Sequence, residues 1–200
     1  MTGAALDKAA RVDISFTDNK NRGGARYRAA LGLLMGVERT RQMMKIGFIG
    51  TGNMGGALAS AAARSGEVEV LLANRTKAKA ETLAERIGAV VSSNEIIARE
   101  ADHIFLGVKP QMLPEVLDPI KDAIHPDKLV VTIAAGKGFS FYASYFGENV
   151  PLVRVMPNIC AQVLCSASAV CPNAACRPEQ VELVRAMFRS VGEVYDIPLY

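Results

Sequence analysis

The sequence has no apolar run near the roughly 18 residues needed to cross a bilayer, and no secretory signal pattern opens it. A soluble, cytoplasmic protein is therefore expected. The four cysteines, Cys160, Cys165, Cys171 and Cys176, show no C-x-x-C or comparable zinc spacing. With no sign of an oxidising compartment they read as reduced, small apolar side chains, and no metal is expected. Internal repeats and low-complexity tracts are absent, which excludes a repeat architecture. A basic surplus is missing from the body of the chain. Residues 1–43 hold 8 of the 23 Lys and Arg but 4 of the 20 Asp and Glu, leaving 15 against 16. Such a near-neutral body gives no footing for binding nucleic acid. Histidine is scarce as well. His103 and His125 both fall on structural segments, neither is assigned to catalysis, and the catalytic residues stay unassigned.

What is present is organised around Lys45-Ile-Gly-Phe-Ile-Gly-Thr-Gly-Asn-Met-Gly-Gly56, an apolar run feeding a glycine-rich turn. Ile46 to Ile49 reads as a buried parallel strand, and Gly50, Gly52 and Gly55 give the G-x-G-x-x-G spacing of a dinucleotide site. Gly50 permits the tight turn, Gly52 lets a pyrophosphate approach the backbone, and Gly55 lets the next helix pack close to the strand. The free N–H groups near Asn53 and Met54 then face the phosphates. Ile49, Gly50, Thr51, Gly52, Asn53, Met54 and Gly55 are thus the expected contacts of this turn.

From Met44 onward apolar strands alternate with helical segments, the sign of an α/β fold of Rossmann type. A doubly wound, mainly parallel sheet with helices on both faces is expected. Strands are predicted near 45–49, 68–73, 89–91, 102–107, 128–133 and 151–155, and helices near 53–64, 76–87, 93–99, 110–124 and 138–146. A further strand over Ser166 to Cys171, an amphipathic helix over Pro178 to Ser190 with Val181, Val184 and Phe188 on one side, and a last strand over Glu193 to Ile197 complete the reading. Residues 1–43 are polar and aperiodic around Asp18 to Gly24, and are read as a flexible N-terminal extension ahead of a domain over 44–200.

The end of the second strand selects between nicotinamide cofactors. An acid there binds the ribose 2′-OH of NAD, whereas a 2′-phosphate needs a cation. This chain has Asn74-Arg75-Thr76, so NADP is expected, with NADPH preferred over NADH. Arg75 would form a forked pair with the phosphate, and Asn74 and Thr76 would donate further hydrogen bonds. The blander reading makes Arg75 a solvated side chain beside a helix N-cap at Thr76. Three later segments should border the same crevice: Gly107, Val108, Lys109 and Pro110; Ile133, Ala134 and Ala135; and Asn158. Lys109 is expected to act through its backbone. The small side chains after Ile133 leave room for a planar ring or ribose, and the Asn158 amide can pair with a carboxamide.

Gly-Phe-Ile-Gly-Thr-Gly-Asn-Met (47–54), Asn-Arg-Thr (74–76), Val-Lys-Pro-Gln (108–111) and Val-Arg-Val-Met-Pro-Asn (153–158), in this order, resemble the N-terminal domain of pyrroline-5-carboxylate reductase. The resemblance runs from about Met44 to the end. It implies reduction of a small-molecule imine, 1-pyrroline-5-carboxylate, to proline with NAD(P)H, and it places Asn94 near the adenosine ribose. It also implies a homo-oligomer built through a helical C-terminal domain that completes the imine site. That domain is expected to be missing here, leaving Pro178 to Ile197 with exposed apolar surface. Two other readings stand beside this one: a β-hydroxyacid dehydrogenase-like reductase, which shares the glycine turn and the Asn-Arg-Thr element, and a non-catalytic NADP-binding module.

Overall fold

In the computed structural model, residues 43–198 are described. The expected N-terminal extension lies outside them, apart from Met43. In chain order the first elements are β1 (Met44–Ile49), α1 (Asn53–Ala63), β2 (Val68–Ala73), α2 (Lys77–Ile87), β3 (Val90–Val91), α3 (Asn94–Glu100) and β4 (His103–Leu106). There follow α4 (Leu113–Leu117), β5 (Leu129–Thr132), α5 (Phe139–Phe146), β6 (Leu152–Met156), β7 (Ser166–Pro172), α6 (Pro178–Arg189) and β8 (Gly192–Asp196). They build one sheet in the order β3-β2-β1-β4-β5-β6-β7-β8. Pairing is parallel from β3 to β6; β7 runs antiparallel to β6, and β8 parallel to β7. The first six strands have the doubly wound order of a Rossmann fold.

The alternation of each strand sorts its apolar side chains into two cores. Ile46, Phe48, Phe105 and Val131 face α1, α2 and α6, whereas Ile49, Ile104, Leu106 and Val130 face α3, α4 and α5. Covered on both faces, the strands read as near-continuous apolar runs. Phe48 and Phe105, register partners across β1 and β4, stack with ring centroids 4.8 Å apart.

Two expectations change. The single helix over 110–124 is a 3₁₀ turn at Pro110–Met112, a short α4, and a second 3₁₀ turn at Lys121–Ala123. Pro114 is accommodated at the start of α4, and the Asp118 N–H still donates to the Pro114 carbonyl, but Pro119 has no N–H to continue the ladder, so the helix ends at Leu117. The apolar surface expected over Pro178 to Ile197 is mostly covered. α6 buries Val181, Leu183, Val184, Ala186, Met187 and Phe188, leaving Tyr195 and Ile197 as the exposed large apolar side chains of that segment. Among the described residues no helix is long and apolar enough to cross a membrane.

Candidate dinucleotide site

The turn after β1 is built around one carbonyl. Gly50 takes a φ of +96°, which places it in the region that favours glycine, and its N–H donates to the Ala73 carbonyl at 2.8 Å. A Cβ on Gly55 would lie 2.1 Å from the Gly50 carbonyl oxygen, and one on Gly107 2.7 Å from it. α1 and the end of β4 therefore close on the turn only because both positions lack a side chain. Gly52 is different, since a Cβ there would meet nothing within 4 Å. The protein itself does not require glycine at 52. The space a side chain would fill is open.

α1 begins at that opening. Gly52 is its extended N-cap, no side chain caps it, and its first turn carries no acid. The first intrahelical bond runs from the Gly56 N–H to the Gly52 carbonyl at 2.7 Å, so the N–H groups of Asn53, Met54 and Gly55 precede it. Donors and helix dipole together favour an anion. The Thr51 N–H donates to Asn74 Oδ1 at 3.2 Å, while the buried Thr51 Oγ1 has no hydrogen-bond partner. A buried hydroxyl without a partner beside an open cradle fits a bound pyrophosphate. Ile49 lies behind the turn, 1% exposed in the core, with its carbonyl accepting from the Gly107 N–H at 2.8 Å. It supports the turn from beneath.

The other expected residues sit at the same edge, on the carboxyl side of successive parallel strands. After β2, Asn74 is committed locally. Its Oδ1 holds Thr51, and its Nδ2 donates to the Thr76 carbonyl at 3.0 Å, which leaves one N–H for a ligand. Arg75 is exposed and reaches toward Met112 Sδ, 4.0 Å away, in the Pro110–Met112 turn. Thr76 is the N-cap of α2 in backbone terms, but its side chain makes no capping bond. Asn94 opens α3 just after β3, behind the Ser93 cap, whose Oγ accepts from the Ile96 N–H at 3.2 Å.

After β4, Gly107 and Val108 are half-buried and Lys109 is exposed; Pro110 starts the 3₁₀ turn, and the Lys109 carbonyl accepts from the Met112 N–H. After β5, the Ile133 N–H donates to the Leu106 carbonyl, and the Ala134 N–H to Thr132 Oγ1 at 3.3 Å. Ala134 is buried and Ala135 exposed. Thr132 is held in turn by the hydroxyl of the buried Tyr142, 2.7 Å away; burial pushes that phenol's pKa up. After β6, Asn158 Oδ1 accepts from the Cys160 N–H at 3.1 Å, and the Asn158 N–H donates to Ser166 Oγ at 3.3 Å. Its Oδ1 is therefore spent on a cap, and its Nδ2 is the group left to donate.

Sequence reasoning missed several residues of this edge. The packing need of Gly107 lies outside the glycine motif, and Met112, Thr132, Tyr142 and Ser166 act only through partners distant in sequence. The two histidines are elsewhere: His103 is buried at the start of β4, the far end from the turn, and His125 is exposed. The cysteines are not uniformly apolar packing. Cys171 is buried and Cys176 half-buried, but Cys160 and Cys165 are exposed. A cleft of about 290 Å³ between α5 and Asn173, lined by Phe139, Tyr142, Phe146 and Leu152, contains none of the expected site residues. Among the described residues no cluster of His, Cys, Asp and Glu could hold a metal ion.

A Rossmann sheet whose first turn forms an open anion cradle at a helix N-terminus defines the dinucleotide-binding domain of an oxidoreductase. Residues 45–136 match the family described as NADP oxidoreductase, coenzyme F420-dependent. A pyrroline-5-carboxylate reductase of Methanosarcina acetivorans is 38% identical over 158 residues, covering 77% of this chain and 58% of the relative. Among solved structures, a pyrroline-5-carboxylate reductase from Coxiella burnetii superposes with a TM-score of 0.73 at 27% identity, over 78% of this chain and 59% of that one. The Plasmodium falciparum pyrroline carboxylate reductase with NADP bound gives 0.67 at 28% identity, over 78% and 59%. By sequence and fold this chain is similar to pyrroline-5-carboxylate reductases, and it spans a little under three fifths of the length of the relatives it matches.

Proposed function

We propose that residues 44–198 are the NADP-binding unit of a pyrroline-5-carboxylate reductase and that they prefer NADPH to NADH. The observation that carries the reading is the open cradle at Gly52, with its bare helix N-terminus and the partnerless Thr51 hydroxyl. In this reading the N–H groups of Asn53, Met54 and Gly55 hold the pyrophosphate. Arg75 pairs with the 2′-phosphate, supported by the absence of an acid at the end of β2 and by its exposed guanidinium. Asn94, Val108, Lys109 and Pro110 border the adenosine half. Ile133, Ala134 and Ala135 leave room for the nicotinamide ring, to whose carboxamide Asn158 donates through Nδ2.

NADPH, when bound, supplies the hydride that reduces a C=N carbon. The residues of this chain orient the ring and keep water from one side of it, and no side chain among them is assigned a proton transfer. The substrate is a small cyclic imine.

The test is calorimetric. NADPH should bind the chain more tightly than NADH, and Arg75→Ala should narrow the gap by about 1–3 kcal/mol, the scale of hydrogen bonds to a charged group. Equal affinities in the unaltered protein would overturn the preference, and absence of binding by either cofactor would overturn the site.

A further inference from the structure

The turn that follows Asn158 carries two exposed thiols in a defined relation. Ile159–Val163 is a 3₁₀ turn, and it ends at Leu164, which has a φ of 62°. The Cys165 N–H donates to the Cys160 carbonyl at 3.0 Å and the Leu164 N–H to the Ala161 carbonyl at 3.2 Å. These are the paired six-to-one and five-to-two bonds of a Schellman motif, a turn that frequently brings a side-chain contact between the residues joined by the outer bond. Here those residues are Cys160 and Cys165. The outer bond also holds their Cα atoms within about 7 Å, near the upper limit of the span a disulfide bridges. The other two thiols are differently placed. Burial pushes Cys171 and Cys176 up, and the Cys176 thiol donates to the Leu152 carbonyl and to Asn173 Oδ1.

We propose that Cys160 and Cys165 are a reversible redox pair, a dithiol that hydroperoxides convert to a disulfide across the turn. One thiolate attacks the peroxide, the O–O bond breaks, and a sulfenic acid forms with hydroxide leaving. The second thiol then attacks the sulfenic sulfur, so the S–S bond forms and the S–O bond breaks. The sum is two thiols and one hydrogen peroxide giving one disulfide and two waters. A dithiol reductant reverses the change. The turn holds Asn158 from both sides, through the Cys160 N–H and Ser166 Oγ, so the bridge tightens the segment bearing Asn158. That consequence rests on the reading of Asn158 as a crevice residue. The bridge itself does not.

The reduced 200-residue chain is treated with stoichiometric hydrogen peroxide, alkylated under denaturing conditions and mapped without reduction, chymotryptic cleavage after Leu164 separating the two cysteines. Alkylatable thiols should fall from four to two, with one intramolecular Cys160–Cys165 bond that dithiothreitol removes. Hydrogen exchange at the Leu164 and Cys165 amides should slow in the oxidised form. Cys165→Ser, a change at an exposed position, should leave Cys160 as a sulfenic acid captured by dimedone, while Cys176→Ser should keep the bridge. Bonds to Cys171 or Cys176, links between chains, separate oxyacids without a bridge, or unchanged exchange at the two amides would each overturn the proposal. None of these readouts involves a cofactor, so they stand or fall apart from the dinucleotide reading.

Discussion

At the scale of single residues, the glycines of the first turn divide by what a side chain would strike. Gly55→Ala drives a methyl group into the Gly50 carbonyl, 2.1 Å away and part of the backbone. It is expected to destabilise the fold by about 1–3 kcal/mol or more, read as a lower denaturant midpoint. Gly52→Val enters open space, so the midpoint should stay near that of the unaltered chain while NADPH binding is lost. Unchanged affinity in the folded Gly52→Val protein would make the turn a purely structural feature. The glycine spacing was readable in the sequence, and so were the tight turn at Gly50 and the close helix packing at Gly55. The demand on Gly107 was not, because it arises where β4 meets a carbonyl 57 residues earlier, and no local pattern encodes that meeting.

At the scale of elements, two polar side chains bind helices to the sheet. Lys128, almost fully buried, donates to the carbonyls of Arg99 and Ala101 at 2.9 Å each and so closes the C-terminal end of α3 against the start of β5. Lys128→Met keeps the apolar stem but leaves both carbonyls without this donor, and should cost about 1–3 kcal/mol in a denaturation series. Tyr142 ties α5 to Thr132. Its folded pKa is raised above the ordinary value of 10.0, mainly by burial, so its stabilising effect is complete below that pH and is lost as the pH rises through the folded value. The denaturant midpoint of the unaltered chain should therefore fall more steeply above pH 10 than that of Tyr142→Phe, which at neutral pH should be less stable by about 1 kcal/mol. Parallel slopes would remove Tyr142 as the cause. Element types were legible from periodicity wherever a run was long. They failed over 110–124, where Pro114 and Pro119 divide a pattern that alone reads as one helix, and over Ile159–Val163, where five residues are too few to show a period.

At the scale of the whole molecule, the described residues gather every expected site residue along one edge of the sheet, and that edge is one wall of a crevice. A reductase must hold its imine as well as its cofactor. The 200-residue chain alone, given NADPH and pyrroline-5-carboxylate, is expected to show no turnover by loss of NADPH absorbance, since forfeited orientation costs about 7–11 kcal/mol of barrier reduction. Robust turnover would place the imine site on residues other than those described at this edge. The six-strand Rossmann order was legible because βαβ units announce themselves in alternating strands and helices. The reversal at β7 was not, since a strand's direction leaves no mark on its composition. That reversal has a practical side. β7 starts at the crevice edge, where Ser166 meets Asn158, and runs down beside β6, and β8 runs with it, so the chain passes Ile197 heading away from Gly52. A dye or a surface tether on β8 would therefore stand five strands from β1 across the sheet, roughly 24 Å at ~4.8 Å per strand, which makes that strand the natural handle for single-molecule tests of the proposed nucleotide binding.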